Sequence, residues 1–128
     1  ASSRGIDGHR ADKSASHRPG MSYQVFLTRD AVRDLEELDE YLTTGDSAEK
    51  ADYVLDKIEA VLQRLSESPV RGNSPRELLA LGLGDYRQVF FKPYRIIYTI
   101  RHKDIYVLLI ADGRRDMETL LQSRLLAF

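Results

Sequence analysis

The sequence predicts an α+β fold with the element order β-α-α-β-β-β-α, and three observations carry that prediction. Two consecutive stretches in the first half place apolar residues at helical spacing. Three short β-rich runs then follow, with only two or three residues between them, and a last amphipathic stretch closes the chain. Because the strands after the helices are contiguous, the layout is α+β and not an alternating βαβ array. A chain of 128 residues suits one domain around one core.

"SYQVFLT", residues 22–28, is rich in β-formers, with Tyr23, Val25 and Leu27 on one face and Phe26 on the other; it is the expected opening strand. Thr28 can N-cap a helix running to about Thr43, with Asp30 in the favourable first turn and Ala31, Leu35, Leu38 and Leu42 along one stripe. Gly45 is expected to end it. Ser47 can cap a second helix to about Ser66, whose stripe is Ala51, Val54, Leu55, Ile58, Val61, Leu62 and Leu65. The pair should form an antiparallel hairpin with a solvated acidic outer surface.

"PVRGNSPRELLALGLG" is a loop by composition, with one helical turn expected at residues 76–81. "DYRQVFF", "YRIIYTIR" and "IYVLLIA" should form an antiparallel meander through short turns at Lys92-Pro93 and "HKD". In the middle strand Arg95, Ile97 and Thr99 share one face, and Tyr94, Ile96, Tyr98 and Ile100 the other. The last strand is apolar on both faces, which predicts a central, doubly covered position. A closing helix is expected from near Gly113, with Asp112 as N-cap and Met117, Leu120, Leu121 and Leu125 facing the sheet.

Residues 1–20 hold one Ile and no other large apolar residue, so they are read as an expression remnant or a disordered extension ahead of Met21; the domain is assigned to 21–128. They lack the apolar stretch of a signal peptide, and no apolar run approaches the roughly 18 residues a membrane span needs. A cytoplasmic protein is expected. The absence of cysteine excludes disulfides, thiolate metal sites and a cysteine nucleophile. With His9 and His17 in the tail, His102 is the one histidine of the expected fold, so neither a metal nor a cofactor is expected. Residues 30–67 carry twelve acidic and four basic side chains, whereas residues 68–128 carry ten basic and six acidic. Two faces of different charge follow, and the net of −3 for residues 21–128 argues against gripping nucleic acid mainly by its phosphates.

The arginines of "IADGRRDMETLL" pose the functional question. In a helix starting near Gly113, Arg114 and Arg115 would lie in the first turn, where the dipole disfavours cations. They could bind RNA, contact a protein, or pair with Asp112, Asp116, Glu118 or the acidic hairpin. Arg95 could make a contact of its own or pack its stem across the sheet. Arg101 and Arg124 could extend the same basic surface, with Arg124 flanking the apolar face of the last helix. The terminal "LLAF", with Phe128 as an exposed contact, could end in the core or in solvent.

The order of elements, together with "YRQVFFKPYRIIYTI" and "YVLLIADGRRDMETLL" at matching spacing, resembles the RelE/ParE superfamily of bacterial toxins over nearly all of residues 21–128. The resemblance implies one of two activities. RelE-like members cut messenger RNA in the ribosome; ParE-like members act on DNA gyrase without being nucleases. Cleavage by 2′-hydroxyl attack needs a group to activate the hydroxyl, a cation for the phosphorane charge and an acid for the leaving oxygen. Carried over by the Tyr-Arg step and the Gly-Arg-Arg turn, the nuclease branch's two arginines fall on Arg95 and Arg115. Its two lysines fall on Tyr86 and Gln88, and its tyrosine on Leu121. Other nucleases of the superfamily use a Glu and a His, but His102 lies in a strand turn beside Lys103 and Asp104, with no partner placed for it.

The charge-stabilising positions are therefore kept and the proton-transfer positions are not. The resemblance then implies a non-enzymatic ParE-like toxin of a type II toxin–antitoxin system, inhibiting gyrase, with a RelE-like endoribonuclease as the alternative and a non-toxic antitoxin-binding module as a weaker third. Candidate contacts to gyrase or to anions are Arg95, Arg101, Arg114, Arg115 and Arg124. No catalytic residue is assigned, and no sequence-specific nucleic-acid binding is expected. The implied partner is a ParD-like or similar antitoxin whose disordered tail folds on binding. Its basic residues are expected to face Glu36, Glu37, Asp39 and Glu40 beside a groove between hairpin and sheet.

Overall fold

The computed structural model describes residues 22–127, so the expectations for the tail, Met21 and Phe128 lie outside the described residues. Strand β1 (Gln24–Leu27) leads into helix α1 (Arg29–Gly45) and helix α2 (Ala48–Leu65). A short helix α3 (Arg76–Leu79) precedes β2 (Tyr86–Phe91), β3 (Tyr94–Arg101) and β4 (Asp104–Asp112), and α4 (Met117–Ala127) ends the chain. The sheet order is β1-β4-β3-β2. The predicted α+β order therefore holds, with antiparallel pairing throughout β2-β3-β4 and β1 added parallel to β4. Parallel pairing requires a long crossover, which the stretch from α1 through β3 supplies.

Both hairpin caps form as their sequences predict. The Thr28 hydroxyl accepts from the Ala31 amide at 3.2 Å, and the Ser47 hydroxyl accepts from the Lys50 amide at 3.0 Å. Gly45 is the last residue of α1, and the amide that closes the helix belongs to Asp46, which donates to the Leu42 carbonyl. Between α2 and β2, Gly82 takes a φ of +77° while Leu83 donates to Leu78 and Gly82 to Leu79. That is the Schellman pattern, and its left-handed residue favours glycine.

The two faces of β4 are both covered. On one face Ile105, Val107 and Ile110 join Ile96, Tyr98 and the apolar stripes of α1 and α2; on the other Leu109 and Ala111 join Ile97, Leu78, Met117 and Leu121. The switch of parity between Val107 and Leu109 is a β-bulge: Ile97 pairs with Leu109 but Tyr98 pairs with Val107, so Leu108 has no residue opposite it. The bulge lets one strand feed two cores and removes Leu108 from the ladder.

The fully buried Tyr98 ties the loop after α2 to the sheet. Its hydroxyl donates to the Pro69 carbonyl at 2.7 Å and accepts from the Gly72 amide at 3.2 Å. Gly72 lies so close that a Cβ there would strike the Gln88 carbonyl and the Tyr98 hydroxyl. Asn73 and Gln88 then exchange backbone hydrogen bonds of 3.2 and 2.7 Å, which protects part of the outer edge of β2. Among the described residues, no helix is long and apolar enough to cross a membrane, and no group of three His, Asp or Glu side chains is arranged to hold a metal.

Candidate functional site

The stretch that follows β4 folds differently from the sequence expectation. Asp112 ends the strand, and its carboxylate accepts from the Arg114 amide and from Arg114 Nε, both at 2.9 Å. Arg114 foremost holds that carboxyl below the usual range. With Asp112 engaged in this turn, the next capping residue opens the helix: Asp116 accepts from the Thr119 amide at 3.2 Å and from its hydroxyl at 2.8 Å. The expected start near Gly113 with Asp112 as N-cap is thus corrected to Met117 with Asp116. Arg114 and Arg115 precede the helix, so its dipole gives no reason for them or against them.

Arg95 is held by three hydrogen bonds. Its Nε donates to Gln88 Oε1 at 2.9 Å, and its two terminal nitrogens donate in parallel to the two Glu77 oxygens, each at 2.9 Å. The stem crosses the sheet over Gly113, where a Cβ would stand 2.7 Å from Arg95 Cδ. The glycine of "DGRR" is therefore the residue that leaves room for Arg95. The Arg95 side chain is 12% exposed, and its guanidinium beside Glu77 lowers that carboxyl to about 2.

Arg124 reaches past the apolar face of α4 to α1. It forms a bidentate pair with Asp34 and also donates to the Leu108 carbonyl at 2.8 Å, while Asp34 accepts from the Ile110 amide at 2.9 Å. Burial pushes the Asp34 carboxyl up, against the opposing pull of Arg124 and the Ile110 amide. The hydrogen bonds that Arg124 donates to Asp34 in turn raise the guanidinium further above its usual range.

The five arginines named from the sequence do not share one surface. Arg95 and Arg124 are internal to ion pairs, and Arg114 is exposed but joined to Asp112. Arg101 stands at the end of β3 opposite to Tyr94, beside Arg87 and Thr99 around a second cavity of about 340 Å³. Arg115 alone of the five lines a groove of about 410 Å³ between α1 and the far ends of β3 and β4. Glu37, Leu38 and Tyr41 form its helical wall, and Tyr94 and Asp112 its sheet wall. Of the four acids named as partner contacts, Glu37 lines this groove, while Glu36, Asp39 and Glu40 turn toward other directions of α1. Burial raises the Tyr94 hydroxyl, reinforced by the Asp112 carboxylate.

The groove combines a tyrosine in each wall, acidic side chains and one arginine, a composition suited to a peptide segment carrying cationic and apolar side chains. At the positions where the superfamily's nucleases carry proton-transfer groups, the chain has Tyr86 packed on the second core, the buried Gln88 bonded to Arg95, and Leu121 at 1% exposure. His102 lies exposed in the β3–β4 turn with φ of +59°. Sequence reasoning missed Asp34, Glu77, Tyr41 and Tyr94. Asp34 could have been found, because it sits one turn after Asp30 on the edge of the apolar stripe of α1, where a carboxylate needs a partner.

Fold and site together define a RelE/ParE-type domain whose half-buried arginines are held by internal carboxylates. A sequence profile of the ParE toxin, of the type II toxin–antitoxin system parDE, matches residues 25–117. Toxin ParE3 of Caulobacter vibrioides (strain ATCC 19089 / CIP 103742 / CB 15) is 31% identical over 94 residues, which are 73% of this chain and 90% of that toxin. The chain belongs to the ParE toxin family of type II toxin–antitoxin systems. A solved structure described as the chromosomal ParDE TA system from P. aeruginosa shares the fold, with a TM-score of 0.59 at 21% identity over 72% of this chain and 95% of that one.

The Arg95–Glu77 pair sets a pH dependence. Glu77 has a folded pKa of about 2 against an ordinary value of 4.5, so its contribution is present above about 4.5 and is lost as pH falls toward about 2. Glu77→Gln is expected to lower stability at pH 7 by about 1 kcal/mol, allowing for partial exposure, and to flatten the fall in stability between those two pH values. Denaturant titrations at several pH values check this; parallel curves for the two proteins would contradict it.

Proposed function

We propose that this ParE-family toxin acts on DNA gyrase by protein contact, without catalysing a reaction, and that a ParD-like antitoxin silences it by folding into the groove between α1 and the sheet. The protein works in the bacterial cytoplasm and takes no cofactor. The observation that carries the reading is the state of Arg95. The guanidinium that an RNA-cleaving site would need for phosphorane charge is bonded to Glu77 and Gln88, and the positions matching the nucleases' two lysines and tyrosine hold Tyr86 packed on the second core, Gln88 and the buried Leu121. The groove supports the antitoxin part, since Tyr41, 72% exposed, and Leu38 offer apolar contact beside Glu37 and Asp112.

Expression of the protein from Met21 separates the two branches of the superfamily. Plasmid supercoiling by gyrase is expected to fall, or a DNA cleavage complex to accumulate, with translated mRNA left intact. Cleaved mRNA with unaffected gyrase would overturn the reading. For the groove, the reversal Glu37→Lys is expected to weaken antitoxin binding by about tenfold or more, equivalent to about 1.4 kcal/mol. Unchanged affinity in a calorimetric titration would remove the acidic wall from the interface.

A further inference from the structure

The Arg95 fork has the geometry of an oxyanion receptor. Two terminal nitrogens present parallel donors at 2.9 Å to two oxygens of one group, the arrangement by which guanidinium binds carboxylate or phosphate. The fork is also fixed before it meets its anion. Its Nε is tied to Gln88, itself only 8% exposed, and its stem is seated over Gly113 on the central strand β3. A preorganised fork of this kind does not lose the side-chain freedom that an exposed arginine would lose on binding.

The anion occupying it arrives from a different part of the chain. Glu77 lies on α3, a helix of four residues that joins α2 to the sheet through loops and attaches to the second core through Leu78. Its side chain is 23% exposed, so the pair is at the surface of the molecule and not in its core. Arg76 beside it is exposed, and Leu79 and Leu81 are each 52% exposed. The carboxylate is thus carried on the solvent-side cover of a rigid arginine.

We propose that the Arg95 fork, held in place by Gln88, forms an oxyanion site that Glu77 occupies as a built-in ligand, so that the folded chain closes its own phosphate receptor. The inference is independent of which cellular target the toxin acts on. It distinguishes Glu77 from a simple tether of α3. A tether, once cut, lowers stability equally in every salt; a built-in ligand, once removed, leaves a receptor that an external oxyanion fills and that is stabilised by that anion in proportion to its affinity.

Inorganic phosphate is the probe, titrated at constant ionic strength against chloride into the full chain. Glu77→Ala is expected to bind phosphate at least about tenfold more tightly than the unsubstituted protein and to gain thermal stability in phosphate relative to chloride. The double variant Glu77→Ala, Arg95→Gln is expected to lose both gains, which assigns the anion to the fork. Should Glu77→Ala fail to fold, Glu77→Gln carries the test in a competitive form: its neutral amide still holds α3 but no longer brings a charge to the fork, so phosphate is expected to displace it and to bind more tightly than to the unsubstituted protein. Phosphate affinity that does not rise when Glu77 is replaced, or a rise that survives loss of Arg95, overturns the proposal.

Discussion

One ion pair ties the first and last long helices of this domain to its central strand β4. Strand β1 pairs with β4 only as far as Val107, and beyond that point the bulge at Leu108 leaves backbone groups of β4 without ladder partners. Arg124 takes the Leu108 carbonyl, Asp34 takes the Ile110 amide, and the two side chains join to each other. Side chains from the first and last helices thereby take over the role of the missing strand. The arrangement satisfies polar groups that burial would otherwise make costly by about 1–3 kcal/mol each. It also bears on the orientation of α1, and with it on the helical wall of the groove that Glu37, Leu38 and Tyr41 form one to two turns further along.

The same logic recurs at Arg95, whose guanidinium is held by a carboxylate of the same chain. Arginines on a strand or at the head of a helix look, in sequence, like free cations awaiting an anion. In the folded chain two of them meet carboxylates from elements far away in sequence, Asp34 on α1 and Glu77 on α3. Arg115 is the member of the set that lines the groove, where it faces the acidic side chains Glu37 and Asp112.

Much of the fold was legible because its determinants are local. The Thr28 and Ser47 caps, the helical stripes and the doubly apolar β4 each depend on residues within a few positions of one another. The start of α4 was misplaced because Asp112 and Asp116 are both credible caps, and only the turn that Arg114 makes with Asp112 decides between them. The site was less legible for the opposite reason. The partners of Arg95 and Arg124 lie 18 and 90 residues away, and nothing in local spacing announces such pairs. Arg101 fell on the wrong end of β3 to join Arg115, a consequence of strand length and not of charge.

The central claim is that Asp34 and Arg124 act as one unit across two helices and a strand, and a double-mutant cycle tests it directly. Chemical unfolding is measured for Asp34→Leu, Arg124→Leu and the pair together. Arg124→Leu leaves the buried Asp34 carboxylate without its partner, and Asp34→Leu leaves Arg124 with the longer contact to Asp30 at 3.9 Å; each is predicted to cost about 3–5 kcal/mol, whereas the double replacement costs no more than one single. A coupling energy of about 2 kcal/mol or more is the predicted result. Single effects that simply add would contradict the account, because they would mean that the two helices are held on β4 independently.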